Sequence, residues 1–245
     1  MDNFTGEDDE EFENPSQLVS ELTSLINDGS YETARKLFLQ YIKNEDFQTA
    51  PVYFCAVSLC SHLAEVYGHS DKLKYGRYIT KGYRYAKAGF AKDETHANCA
   101  KYRAIFLSMV SKYRGLYYWI KNSYKMREYW LKAQELNPGD AQVLKGMGMW
   151  CYEVAGWNFI QRKVAAALFP LIPRATYQEA IKLLTEAESK SMKTNAVDLL
   201  NIARCYMKLN RLETAKTYLE EIMICTAEDP DTENAKREAI DLWGK

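Results

Sequence analysis

The sequence predicts an all-α chain of helices folded back on one another in pairs, and three observations carry that prediction. The six prolines, at 15, 51, 138, 170, 173 and 230, leave long intervals free of the residue that costs about 3 kcal/mol in a helix interior. Within those intervals apolar residues recur at helical spacing. Strand-like alternation is nearly absent.

Twelve helices follow in order: 15–27, 31–43, 51–67, 71–91, 94–112, 116–135, 141–155, 158–169, 176–191, 195–208, 212–224 and 230–243. The first opens at Asn14-Pro15, an N-cap followed by proline at the first helical position, and carries Leu18, Leu22 and Leu25. Gly29 and Tyr31 form the turn into the second, which carries Ala34 and Phe38. The third begins at Pro51. In the fourth, Tyr75, Ile79, Tyr83, Ala86 and Phe90 share one side at about 100° per residue and should face the core. The fifth and sixth fill the interval before Pro138. Asp140 caps the seventh after the turn "NPGD". Trp157, Ile160, Val164 and Leu168 give the eighth an amphipathic spacing, interrupted by Gln161, Arg162 and Lys163. Thr176 and Glu179 form a capping box for the ninth. Leu199, Ile202, Ala203 and Tyr206 pattern the tenth, Ala215 and Leu219 the eleventh, and Asp229-Pro230 opens the twelfth.

Short connections between so many helices suggest stacked hairpins, and the pattern repeats. The tetratricopeptide signature is W-x2-L-G-x2-Y followed by a small and then a large apolar residue on the second helix. Leu199, Ile202, Ala203, Tyr206, Ala215 and Leu219 match it, and so do Leu18, Leu22, Leu25, Ala34 and Phe38. A third copy starts at Leu144, Met147, Gly148 and Cys151, but its second-helix residues come late, at Ala180 and Leu184. Residues 157–172 therefore read as a helical insertion laid against the scaffold. The expected fold is an all-α, tetratricopeptide-like superhelix of about six antiparallel hairpins over 15–245, after an acidic disordered tail at 1–14.

The apolar run after Lys163 is about half of the roughly 20 residues a membrane span needs, and two prolines end it. The acidic tail is the reverse of a targeting segment: residues 1–13 hold seven acids and no base. Six cysteines, in no C-x-x-C pair, and three histidines (His62, His69, His96) show no zinc-ligand spacing, so reduced, buried thiols of a cytosolic protein are expected, with no metal or other cofactor. Nucleotide-binding, hydrolase and metalloprotease motifs are absent, and no catalytic residue stands out. His62 reads as half-buried structure. Asn3-Phe-Thr5 matches a glycosylation sequon that means nothing in the cytosol.

Charge is unevenly spread. From Lys72 to Lys132 there are fifteen basic residues against three acids, with ten tyrosines and two tryptophans. On the fourth helix Lys74, Arg77, Lys81 and Arg84 lie together opposite the core side, edged by Tyr78 and Tyr85. Such a stripe suits an acidic polymer surface. Lys112, Arg114, Lys121, Lys125, Arg127 and Lys132 would extend it in the next hairpins. A solvated face accounts for the same charges, since basic side chains lie over apolar neighbours. Phosphate-bearing ligands are a third occupant. The acidic tail is expected to compete for the stripe, so deleting residues 1–13 should tighten binding at low salt.

The stretch Leu136 to Glu188 resembles the signature region of the regulator of microtubule dynamics protein family. The likeness rests on the triplet Trp150-Cys151-Tyr152, the step Gln161-Arg162-Lys163, Ala165 with Leu168-Phe169, and Thr176-Tyr177 with Ala180. More weakly it extends from about Leu18 to the C-terminus, and Ala175 stands where the family often has serine. The resemblance implies a non-enzymatic, cytoplasmic protein of the cytoskeleton, spindle and spindle poles. Its implied partners are tubulin and microtubules, with spindle or kinetochore-associated proteins. Some relatives in the family carry an N-terminal membrane anchor, but the acidic tail here does not match one, and neither nucleic acid nor a membrane span is expected. Two rivals stay open: a peptide-binding adaptor with a concave groove, and a lipid-binding module with 157–172 lining a pocket.

Overall fold

A computed structural model describes residues 12–68, 70–191, 194–226 and 229–243. The acidic segment 1–11, its sequon and His69 lie outside the described residues. Twelve α-helices and one 3-10 turn, with no strand, make up the regular structure among them. Contacts divide the chain into two compact units, residues 1–106 and 107–245.

The first unit holds α1 (Pro15–Asn27), α2 (Tyr31–Tyr41), the 3-10 turn Glu45–Phe47, α3 (Ala50–Tyr67), α4 (Lys72–Lys92) and the start of α5 (Ala97–Arg114). Asn14 caps α1 by accepting from the backbone N–H groups of Ser16 and Gln17, both at 3.1 Å. Gly29, at φ +76°, makes the left-handed turn into α2. Leu18, Leu22, Ala34 and Phe38 then bury together with Val52, Cys55 and Leu59 of α3. Each large side chain so buried contributes roughly 1.5–3 kcal/mol. Phe12 joins this cluster, its ring edge-on to Tyr41 at 5.2 Å.

Glycines on α4 bring its neighbours close. A methyl at Gly82 would lie 2.4 Å from the Phe106 ring, and one at Gly89 would lie 2.7 Å from Cys99 Sγ. Only a residue without a side chain permits that approach.

The second unit contains α6 (Leu116–Leu136), α7 (Ala141–Ala155), α8 (Phe159–Leu168), α9 (Tyr177–Ser189), α10 (Ala196–Lys208), α11 (Leu212–Met223) and α12 (Pro230–Trp243). The tight partner of α7 is α9, whereas α8 packs on α6. Gly148 faces Leu184, and a methyl there would lie 2.7 Å from Leu184 Cγ. Capping boxes open α8 (Asn158 with Gln161) and α9 (Thr176 with Glu179).

One sequence expectation is corrected on α8. Ile160 does not belong to the inward stripe; it is 68% exposed. Ala165 marks the buried side, and Ile160, five residues earlier, lies about 140° around the helix from it. Trp157 is buried just ahead of the helix.

Candidate partner-binding surface

The position of the basic residues on α4 follows from how that helix is buried. Ile79, Gly82, Ala86, Gly89 and Phe90 turn inward, which puts Lys74, Arg77, Lys81 and Arg84 on the outward side, all four exposed. Asp71 caps the helix by accepting from Lys74 N–H at 2.9 Å, and its carboxylate lies 3.8 Å from Lys74 Nζ. Arg77, Lys81 and Arg84 have no carboxylate within ion-pair distance among the described residues. Among the described residues, three charges therefore stand without an ion-pair partner along about two turns of helix.

The tyrosines expected to edge this stripe as exposed anchors are placed otherwise. Tyr78 and Tyr85 are half-buried and pack against the core of the first unit. Tyr85 meets Phe38 edge-on at 5.1 Å, and Tyr78 stacks on Tyr67 at 5.7 Å. Burial raises the hydroxyl pKa of both. The physical reason is the width of the buried face. A helix packed within stacked hairpins meets neighbours on its flanks as well as on its inner side, so residues about 90° from the core axis still find a partner. The exposed part of this side of α4 is the cationic row.

In the second unit the remaining basic positions behave differently from one another. Lys112 is exposed, but Glu153 takes its ammonium at 3.0 Å, so its charge is compensated within the unit. Arg114 lies over the Tyr118 ring at 4.2 Å, Lys121 over Tyr117 at 5.9 Å and Lys125 over Tyr129 at 5.7 Å. These are cations resting on aromatic faces, an arrangement worth about 0.5–1 kcal/mol at exposed sites. Arg127 lies 5.9 Å from the Trp150 ring and turns into a hollow with Arg174 and Lys182. Those last two residues fall beyond the basic Lys72–Lys132 segment. The only linear signal for Arg174 is its place directly after Pro173.

Among the described residues no cluster of three or more histidine, cysteine or acidic side chains is placed to hold a metal ion. No helix there is long and apolar enough to cross a membrane. Burial pushes the thiols of Cys60, Cys99 and Cys205 up to about 12 and that of Cys151 to about 11. Such thiols are poor nucleophiles.

Residues 18–245 match the family described as regulator of microtubule dynamics protein 1-3. The bovine protein named regulator of microtubule dynamics protein 1 is 29% identical over 226 residues, covering 92% of this chain and 70% of its own length. The mouse protein of the same name is also 29% identical over 226 residues, covering 92% of this chain and 73% of its own. Among solved structures, a thermophilic TPR protein from Thermus thermophilus aligns with a TM-score of 0.57 at 13% identity. That alignment covers 92% of this chain and 98% of the thermophile protein, and it supports the tetratricopeptide-like fold alone.

Proposed function

This chain belongs to the regulator of microtubule dynamics protein 1-3 family, and on that premise we propose a non-catalytic, microtubule-related role. The basic row of α4 docks on an acidic polymer surface such as that of tubulin, placing the protein on the cytoskeleton and spindle. The observation that supports this reading is the row itself: Arg77, Lys81 and Arg84 exposed, aligned and without carboxylate partners among the described residues.

Magnitudes favour a weak, steerable contact. Exposed ion pairs contribute about 0.2–1 kcal/mol each, so four of them give roughly 1–4 kcal/mol. Screening acts over roughly 8 Å at physiological salt, so most of that gain is lost as salt rises. The row therefore raises the encounter rate and orients the protein more than it holds it.

The test is cosedimentation of purified protein with microtubules across a salt series, using intact polymers and polymers stripped of their acidic tails. The variant Lys74→Glu/Arg77→Glu/Lys81→Glu/Arg84→Glu changes only exposed residues and should fold. Loss of pelleting in that variant, with salt-sensitive pelleting of the parent, is the expected result. A folded variant that pellets like the parent removes α4 as the docking face.

A further inference from the structure

In the second unit, α6, α7, α9 and the extended segment before α9 enclose a hollow of about 290 Å³. A second hollow of about 390 Å³ adjoins it, shares Arg127, Trp150 and Arg174, and continues along Leu171–Pro173. Together they form a trough that suits an extended ligand better than a compact one. We propose that this trough binds a short acidic peptide segment carrying an apolar side chain beside its carboxylates.

Charge complementarity supplies the first half of the inference. Arg127, Arg174 and Lys182 converge on the first hollow, and none has a carboxylate within ion-pair distance among the described residues. The two acids at the same rim are already engaged. Glu179 accepts from Thr176 N–H at 2.7 Å and from its hydroxyl at 2.9 Å, which closes the cap of α9. Glu186 lies 4.0 Å from Lys190 Nζ. The trough thus carries three cations against two carboxylates, an excess of positive charge. Arginine's planar fork matches a carboxylate with two parallel hydrogen bonds.

The floor supplies the second half. Trp130, Leu131, Met147, Trp150 and Leu183 line it, and Leu131 is 40% exposed. The Trp150 indole N–H is already donated to the Ser123 carbonyl at 2.9 Å and the ring is buried, so it backs the floor while Leu131, Met147 and Leu183 supply the open apolar surface. Gly146 lets the Trp130 ring pack close against α7, since a methyl there would lie 2.3 Å from that ring. Cations over an apolar floor reward a ligand that brings both a carboxylate and an apolar group, and peptides do so at adjacent residues.

The site shares no residue with the α4 row and needs no microtubule to be tested. Anisotropy of the fluorescein-labelled heptapeptide Glu-Glu-Glu-Phe-Glu-Glu-Glu is followed against the full chain at low and physiological salt. The parent protein should bind it, and Arg127→Glu/Arg174→Glu should weaken binding about tenfold or more, equivalent to about 1.4 kcal/mol. Replacing the peptide's glutamates with glutamine, or its phenylalanine with alanine, should each weaken binding by about threefold or more. At physiological salt, where the exposed α4 row holds an acidic ligand only weakly, its quadruple reversal should weaken binding clearly less than the arginine pair does. Leu131→Glu, which changes an exposed floor residue, provides a second variant should the arginine pair fail to fold, and it too should weaken binding. Absence of binding by the parent overturns the proposal, as does equal binding by the folded arginine or leucine variant. Equal loss in the α4 variant would reduce the effect to net charge and also overturn it. So would binding of phosphatidylserine vesicles through Arg127 and Arg174 in place of the peptide.

Discussion

Replacing Gly82 with alanine probes how α4 is held without touching its charges. A methyl at that position would meet Phe106 Cζ at 2.4 Å and two further ring carbons at 2.6 Å. Ordinary contact begins near 3.4 Å, so the ring must retreat by about 1 Å. Phe106 is fully buried and already touches Tyr102 at 6.0 Å between ring centroids, so it has little room to yield. Overpacking of this kind costs about 1–3 kcal/mol, and three close ring atoms put it at the upper end. The alanine also gains about 1 kcal/mol of helix propensity over glycine. The net expectation is a destabilisation of about 2 kcal/mol. Phe106→Leu alone should cost about 1 kcal/mol, and in the double variant the clash should be relieved. A double-mutant cycle by urea unfolding, followed by far-UV circular dichroism, should therefore show a favourable coupling of about 1–2 kcal/mol. Stability that is unchanged or raised in Gly82→Ala, or effects that add within about 0.5 kcal/mol, would refute the close approach of α4 to Phe106.

Two further predictions concern the thiols. Five of the six cysteines are buried and only Cys225 is partly accessible, so a native chain should show one fast-reacting thiol and the denatured chain six. A second fast thiol in a colorimetric disulfide-exchange assay would contradict the burial. Burial also holds the Cys60 proton to about pH 12, whereas an unfolded thiol releases it near pH 8.5. The folded state therefore keeps its full Cys60 contribution below about pH 8.5 and loses it as pH rises toward 12, because the unfolded chain ionises first. Cys60→Ala should flatten the alkaline decline by up to about 1.4 kcal/mol per pH unit. Parallel declines in urea midpoints between about pH 8 and 10 would show that Cys60 is not the source.

The parts of the structure that were legible in the sequence are those encoded by local spacing. Ala34 with Phe38, and Ala215 with Leu219, sit four residues apart, so each pair lies on one helix face and is buried as the repeat pattern requires. The contact of Gly148 with Leu184 spans α8, yet the delayed signature at Ala180 and Leu184 already pointed to it. Angular position on one helix carries less information about its flanks. Tyr78 and Tyr85 have the spacing of boundary residues, and only their neighbours Tyr67 and Phe38 turn their rings inward. Likewise Lys112 looks like any exposed lysine until Glu153, 41 residues away, is placed beside it. Partnerships between distant charges leave no mark on local periodicity.

The same physics separates the two cationic sites by what each can do. On α4 the charges project into water, with only Leu73 and the half-buried rings of Tyr67, Tyr78 and Tyr85 beside them, so pairing there is worth little and salt removes most of it. That arrangement attracts many acidic partners and selects poorly between them. Around Trp150 the charges stand over a floor that excludes water on one side, where a carboxylate that fits gains a charge-assisted hydrogen bond of about 1.5–3 kcal/mol. A ligand lacking the apolar group leaves that floor wet, and one lacking the carboxylate leaves the arginines unpaired. On the two proposals, selectivity belongs to the trough and attraction to the row. The salt dependence of the two should differ accordingly: steep for microtubule pelleting, and shallower for the peptide, whose phenylalanine contact is indifferent to ionic strength.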